Sequence, residues 1–270
     1  MTFFEKIEKN PVHIAPEDIK VSVVIPTLNE GGCVGGIIQR VQKLMPGFVN
    51  EIIVVDGGSI DNTENVVREL GVKFLRQPGK GLGDAYRHGA NNIDGNVMVI
   101  LDADGSHVPE HIPRLTEKIK EGYDLVIASR LKGGLRSEDM KRFSFRTFAN
   151  YLVGFSCRHI FGTPVSDPWM GFRAIKKEVF QSLGTTSLGQ EVDIEMLIRT
   201  VKRGHKVTDI ETYEPKRIYG ESKFNVIFEG TRLSILFTRE FLHLSVVDKA
   251  SWLLSNLYNL QDKVFNLHKK

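Results

Sequence analysis

The sequence predicts an α/β fold with a mostly parallel sheet flanked by helices. Short apolar runs alternate with helix-period segments from residue 21 to residue 130, the pattern of strands joined by crossover helices. The runs are rich in Val and Ile, as strands covered on both faces are. Polar residues able to do chemistry follow the runs directly, and a parallel sheet gathers those strand ends on one edge.

The elements follow in order. Residues 1–20 are mixed polar with Pro11 and Pro16, a short helix or an extended arm. Val21–Pro26 is the first buried strand, and Thr27–Gly32 is the loop at its carboxyl end. A helix through Ile37, Ile38, Val41 and Leu44 stops at Pro46-Gly47. Glu51–Asp56 is the second strand. Gly57–Thr63 makes a turn and helix cap, and the helix carrying Val66, Val67 and Leu70 ends at Gly71. Val72–Leu75 is a short third strand, and Gly79–Ala85 opens another helix. Val97–Leu101 is a strand, Pro109 to Lys120 a helix, and Asp124–Arg130 a further strand. Beyond it lie a basic loop leading into a helix (130–146), a turn then a strand (167–175), a helix from Glu191 to Gly204 and a strand from Lys206 to Glu211. From Val226 the chain reads as an amphipathic helical tail. The expected division is a catalytic unit over 1–225 and a C-terminal helical segment over 226–270, the latter suited to core packing or to a membrane surface or partner.

Composition bounds the class. At 270 residues the chain can bury one large core or two small ones. A hydrophobic fraction of 41% with 26% charged residues is ordinary for a globular chain. A net charge of +3 gives no argument for a nucleic-acid partner. Cys33 and Cys157 make no disulfide framework and fit a reducing compartment. The N-terminus lacks the basic and apolar regions of a signal peptide, and no run approaches the roughly 18 apolar residues of a membrane span. The expectation is a cytoplasmic chain, soluble or peripheral at the cytoplasmic membrane face.

The run Val97-Met98-Val99-Ile100-Leu101-Asp102-Ala103-Asp104 organises the chemistry. Alternate strand residues share a face, so Asp102 and Asp104 can converge past the strand end. Two hard oxygen ligands suit Mg²⁺ or Mn²⁺ carrying a diphosphate, although Asp-x-Asp-Gly is also ordinary turn chemistry. Asp56 could accept from a nucleobase N–H or simply cap its turn. Gly79-Lys80-Gly81-x-Gly83 resembles a phosphate-cradling loop without being a Walker motif, and taken alone it is better explained as a plain loop-to-helix turn. The run Arg130, Lys132, Arg136, Lys141, Arg142, Arg146 could bind a phosphate-bearing acceptor or be a solvated face. Arg217 and Lys223, around Tyr219-Gly220, could clamp an anion or flank a tight turn.

Several motifs occur together in register. They are Val24-Ile25-Pro26-Thr27-Leu28-Asn29-Glu30, Val54-Val55-Asp56-Gly57-Gly58-Ser59-Ile60-Asp61-Asn62-Thr63, Gly79-Lys80-Gly81 and Asp102-Ala103-Asp104. Ser129-Arg130-x-Lys132-Gly133-Gly134, Gly171-Phe172-Arg173-Ala174 and Arg217-x-x-Gly220-x-Ser222-Lys223 complete the set. The order resembles the inverting GT-A glycosyltransferases, and within them the dolichyl-phosphate mannose synthase and polyprenyl-phosphate sugar synthase family. The resemblance implies a Rossmann-like GT-A fold. It implies a nucleoside held by Pro26, Asn29, Glu30 and Asp56, a donor contact at Lys80, and a metal with diphosphate on Asp102 and Asp104. Arg130, Arg142, Arg217 and Lys223 would meet donor and acceptor phosphates. The implied partners are a GDP- or UDP-linked sugar, dolichyl or polyprenyl phosphate, and a membrane surface or small membrane subunit.

This chain departs from that family at three places. Gly57 stands where a second Asp is common, Ser106 where Gln is common, and no run within 226–270 reads as a membrane span. Base identity and metal geometry therefore stay open. For a hydroxyl acceptor the candidate base is Asp193, because other inverting GT-A enzymes carry an acid at the comparable helix start. The rival readings are that hydroxyl transferase, a sugar nucleotidyltransferase, for which Leu28–Gly32 lacks a basic residue, and a non-catalytic nucleotide-sugar binding module.

Overall fold

The computed structural model describes residues 12–45, 47–132, 145–217 and 226–242. Seven strands form one sheet: β1 (Val21–Thr27), β2 (Glu51–Asp56), β3 (Lys73–Arg76), β4 (Val97–Ile100), β5 (Leu125–Ser129), β6 (Arg173–Lys176) and β7 (Val207–Glu211). Their spatial order is β3-β2-β1-β4-β6-β5-β7. The helices are α1 (Val34–Gln42), α2 (Thr63–Glu69), α3 (Leu82–Asn92), α4 (Ile112–Lys120), α5 (Phe145–Phe161), α6 (Lys177–Leu183), α7 (Val192–Lys202) and α8 (Val226–Phe241). Within the described residues the expected strands and helices are present, with ends shifted by a few residues; the tail beyond residue 242 lies outside them. The Lys177–Leu183 helix went unread because it begins directly at the end of a strand, with no turn residues between them. Within 12–20 the only element is one 3-10 turn at Pro16–Asp18.

β1, β4, β5 and β6 are buried along almost their whole length. Helices cover both faces of such a sheet, which explains why the strands read as continuous apolar runs. The chain moves outward from β1 through β2 to β3, then restarts on the other side of β1 at β4. That reversal opens a crevice at the carboxyl ends of β1 and β4.

β6 runs antiparallel between β4 and β5. Its direction matters for function. The segment entering β6, Asp167–Phe172, approaches from the edge on which β1, β4, β5 and β7 end, so a loop from the second half of the chain reaches the crevice.

A second cluster packs beside the sheet core: Val153, Cys157 and Phe161 of α5, Ile194 and Ile198 of α7, and Leu233 and Leu236 of α8. The part of the tail that is described therefore lays its inner face on α5 and α7. Glu240 of α8 adds ion pairs to Arg199 at 2.9 Å and Lys202 at 3.1 Å. Among the described residues no helix is long and apolar enough to cross a membrane.

Gly83 marks a tight approach at the start of α3. Its N–H donates to the Leu188 carbonyl at 3.0 Å, and a Cβ there would lie 1.9 Å from the Ser187 carbonyl oxygen. Backbone on both sides leaves nothing flexible to yield. Gly83→Ala is expected to destabilise the fold by about 1–3 kcal/mol, as overpacking does, measured by urea unfolding.

Candidate active site

The crevice is lined by residues from both halves of the chain, among them Tyr86, Asp102, His107, Arg130, Asn150, Trp169, Asp193 and Arg217. The turn after β4 builds its floor. Gly105, at φ +83°, lets the chain reverse after Asp104, and the Ser106 N–H donates to Asp104 Oδ1 at 2.9 Å. His107 returns over the turn. Its Nδ1 accepts the Asp102 backbone N–H at 3.1 Å, which leaves Nε2 3.6 Å from Asp102 Oδ2. Phe172 stacks on the imidazole at 5.3 Å and holds its orientation. From below, the Cys33 thiol donates to the Ala103 carbonyl at 2.8 Å. Burial, with Glu30 next to it, pushes that thiol up to about 12, so it stays protonated.

The two aspartates differ. Asp102 keeps about a third of its side chain open, at 37%, whereas Asp104 is buried at 8%. Desolvation pushes the Asp102 carboxyl up, with Asp104 adding to it and His107 and Arg217 opposing. At Asp104 desolvation also acts upward, but His107, Arg217 and the Ser106 hydrogen bonds overcome it and hold the carboxyl low. The Arg217 guanidinium lies 2.8 Å from Asp104 Oδ2, so the loop after β7 delivers a cation onto the acid after β4.

Arg130 lines the crevice and is held there by two acids. It is buried, with Nε and Nη2 on the Asp167 carboxylate at 2.7 and 3.1 Å and Nη1 on Glu214 at 3.0 Å. Both acids raise its pKa against the desolvation that lowers it. The result is a clamp tying β5, the loop before β6 and the loop after β7 together at the crevice wall. Asp56 likewise already serves its own turn. Its carboxylate accepts the N–H groups of Gly58 and Ser59, both at 2.9 Å, and the hydroxyls of Ser59 and Thr27.

Asn29 carries a left-handed backbone, φ +59°. Its side chain accepts the Ile60 N–H at 2.9 Å, while its own N–H donates to Ser59 at 2.8 Å. Glu30 N–H donates to Thr63 at 3.0 Å. These bonds clasp the loops after β1 and β2 into one rim, with Pro26 half-buried at its base and Lys80 exposed on the next loop. Arg142 and Lys223 lie outside the described residues.

Asp193, near the start of α7, faces the crevice from the opposite wall. Arg173 pairs with it at 3.2 Å and the Tyr86 hydroxyl lies 3.4 Å away. Desolvation, opposed by Arg173 and reinforced by Asp102, pushes its pKa up to about 7. An unfolded Asp titrates near about 4, so the native state holds an extra proton between those values. Stability from this group is thus full below about pH 4 and is lost as pH rises through about 7. The Tm is expected to fall between about pH 5.5 and about pH 8. Asp193→Asn should flatten that fall, as read by calorimetry at both pH values.

Sequence reasoning missed His107, Tyr86, Asp167 and Glu214 as members of the site. Only His107, three residues beyond Asp104, carried a local signal.

A seven-stranded, mostly parallel sheet with paired carboxylates at its carboxyl edge is the architecture of GT-A enzymes. The glucosyl-3-phosphoglycerate synthase of Mycobacterium tuberculosis, solved with Mn²⁺, UDP and phosphoglyceric acid, superposes with a TM-score of 0.67. It is 22% identical, over 83% of this chain and 79% of that one. The glycosyl transferase family 2 model matches residues 22–184, and the chain belongs to that family. It is 34% identical over 223 residues to the dolichol-phosphate mannosyltransferase of Pyrococcus furiosus, covering 79% of this chain and 62% of that protein. The dolichyl-phosphate hexose transferase of Haloferax volcanii is 27% identical over 79% of this chain and 90% of its own length. The chain is a glycosyltransferase.

Proposed function

We propose that the chain transfers a hexose, mannose first, from a GDP- or UDP-linked donor to dolichyl or polyprenyl phosphate at the cytoplasmic face of a membrane. The observation that carries the reading is the pairing of Arg217 with Asp104 at 2.8 Å. It sets a cation able to bind phosphate beside the two acids able to bind a diphosphate-bound metal. The names of the Pyrococcus and Haloferax relatives support a lipid-phosphate acceptor.

The acids fit a hard divalent cation. They offer two oxygen donors on one turn, and the Asp102 carboxylate is partly open to the crevice. No set of three His, Cys, Asp or Glu side chains arranged to hold a metal occurs among the described residues. Water and diphosphate oxygens would complete such a coordination sphere, as they commonly do around Mg²⁺. When bound, Mg²⁺ or Mn²⁺ supplies neutralisation of charge on the departing diphosphate.

The acceptor phosphate oxygen attacks the anomeric carbon as the carbon–oxygen bond to the diphosphate breaks, and the nucleoside diphosphate leaves with the electron pair. A phosphate monoester has its second pKa near about 6 and is already anionic, so no general base is required. Its demand is for cations, which Arg217, and by resemblance Arg142 and Lys223, supply.

A second reading rests on Asp193, pushed up to about 7 within the same crevice. A carboxylate poised near neutrality suits a general base toward a hydroxyl acceptor. One experiment separates the two readings. Radiolabelled GDP- and UDP-sugars are offered with dolichyl phosphate, with Mg²⁺ or Mn²⁺ and with EDTA. A chloroform-soluble product from one donor, lost with EDTA, upholds the lipid-phosphate reading. Metal-dependent hydrolysis of a donor with no lipid product would move the acceptor to a hydroxyl.

A further inference from the structure

One wall of the crevice is built from two helix starts. Leu82 and Tyr86 come from α3, and Gln190 and Asp193 from the entry to α7. The loop 184–191 stitches the two together. Its Leu188 carbonyl accepts the Gly83 N–H at 3.0 Å, and its Ser187 carbonyl accepts Arg87 Nη1 at 2.9 Å. Glu191 turns back on the loop and accepts the Gly189 N–H at 3.0 Å.

The same loop is gripped from outside the crevice. Glu195 of α7 is completely buried, and its carboxylate accepts the N–H groups of Thr186 at 3.0 Å and Ser187 at 2.8 Å. A carboxylate removed from solvent needs cations beside it. Arg199 supplies one at 3.0 Å. Arg239 of α8 supplies another at 2.5 Å, and its Nη1 donates to Thr186 Oγ1 at 2.8 Å. Arg239 therefore touches both the loop and the acid that holds it, while standing outside the crevice lining.

We infer that Arg239 is a positioning residue for the sugar donor. Acting through Glu195 and Thr186, it fixes the loop 184–191 and with it the wall that carries Tyr86, Gln190 and Asp193. The inference rests on the reading of this crevice as the nucleotide-sugar site. The bonds run unbroken from α8 to the wall, and each end of the loop is tied to a different helix start. Glu240, one residue further on, provides an internal comparison. It seats α8 through ion pairs to Arg199 at 2.9 Å and Lys202 at 3.1 Å, with Arg239 Nε at 3.4 Å, and these contacts go to helices rather than to the loop.

The test is titration calorimetry of the full chain with Mn²⁺ and either UDP-glucose or GDP-mannose, followed by transfer kinetics with the donor that binds. Arg239→Gln is expected to weaken donor binding and raise donor KM by about tenfold, with kcat within about twofold, the pattern of lost uniform binding. A wall displaced by about 1 Å is enough for such a loss. Thr186 is exposed, so Thr186→Ala breaks the grip on the loop while leaving the buried ion pairs in place. It is expected to raise donor KM about threefold and gives a reading even if Arg239→Gln fails to fold. Glu240→Gln should stay within about twofold of wild type. Unchanged donor affinity in Thr186→Ala and in a folded Arg239→Gln would overturn the inference. So would a Glu240→Gln effect equal to that of Arg239→Gln, which would assign the loss to the general seating of α8. A fall in kcat and Tm with donor KM unchanged would overturn it as well, leaving Arg239 a purely structural residue. Wild type that binds neither donor would instead overturn the reading of the crevice itself. Binding is read without an acceptor, so a failure of lipid-phosphate transfer would register separately, in the labelling assay.

Discussion

Asp104→Asn is expected to lower kcat by about 10²–10³-fold, the usual loss when one preorganised electrostatic partner is removed from a transferase site. The size is argued from what the side chain does. Asparagine keeps the shape and can still accept the Ser106 N–H through Oδ1. It removes the charge that Arg217 meets at 2.8 Å and that a divalent cation would need. Asp104 rather than Asp102 is the sharper test, because its carboxyl is held low and stays ionised throughout the working range. Steady-state transfer with saturating donor reads the effect. Thermal unfolding should change little, and titration calorimetry with Mn²⁺ and nucleoside diphosphate should show weaker binding. Near-normal turnover would remove the aspartate pair from the chemistry and favour the turn-forming role that the Asp-x-Asp-Gly pattern also allows.

Asp167→Asn is expected to destabilise the protein by about 3–5 kcal/mol, the cost of leaving one partner of a buried ion pair uncompensated. For a chain this long that is a Tm lowered by about 10 °C. Asp167 is completely buried, and it accepts both the Arg130 guanidinium and the Arg130 backbone N–H. Without it, a desolvated guanidinium keeps Glu214 as its charged partner among the described residues. Arg130→Lys should fail to compensate in the reverse direction, since one ammonium cannot reproduce a fork shared between two carboxylates. The check is differential scanning calorimetry, together with residual transfer at low temperature. Loss of activity with no loss of stability would instead make Arg130 a direct phosphate ligand.

Much of this was legible beforehand because it is local. Strand positions follow from apolar runs of a few residues, and the aspartate pair follows from the two-residue strand period. The placement of Asn29–Glu30 and Asp102–Asp104 on one edge follows from strand–helix alternation. Asp56 was legible as a strand-end acid, but its role as turn acceptor depends on where the Gly58 and Ser59 N–H groups point.

The sequence by itself determined the succession of strands and helices and the acidic turn after β4, because each is encoded within a few neighbouring residues. The tertiary structure decided the partners. It turned β6 antiparallel, which brought Asp167 to the crevice and bound Arg130 to it across 37 residues of chain. It brought Arg217 onto Asp104 and packed α8 on α5 and α7. Charges far apart in sequence have no period to read. Their pairing follows from which strand ends share an edge, and only the assembled sheet specifies that.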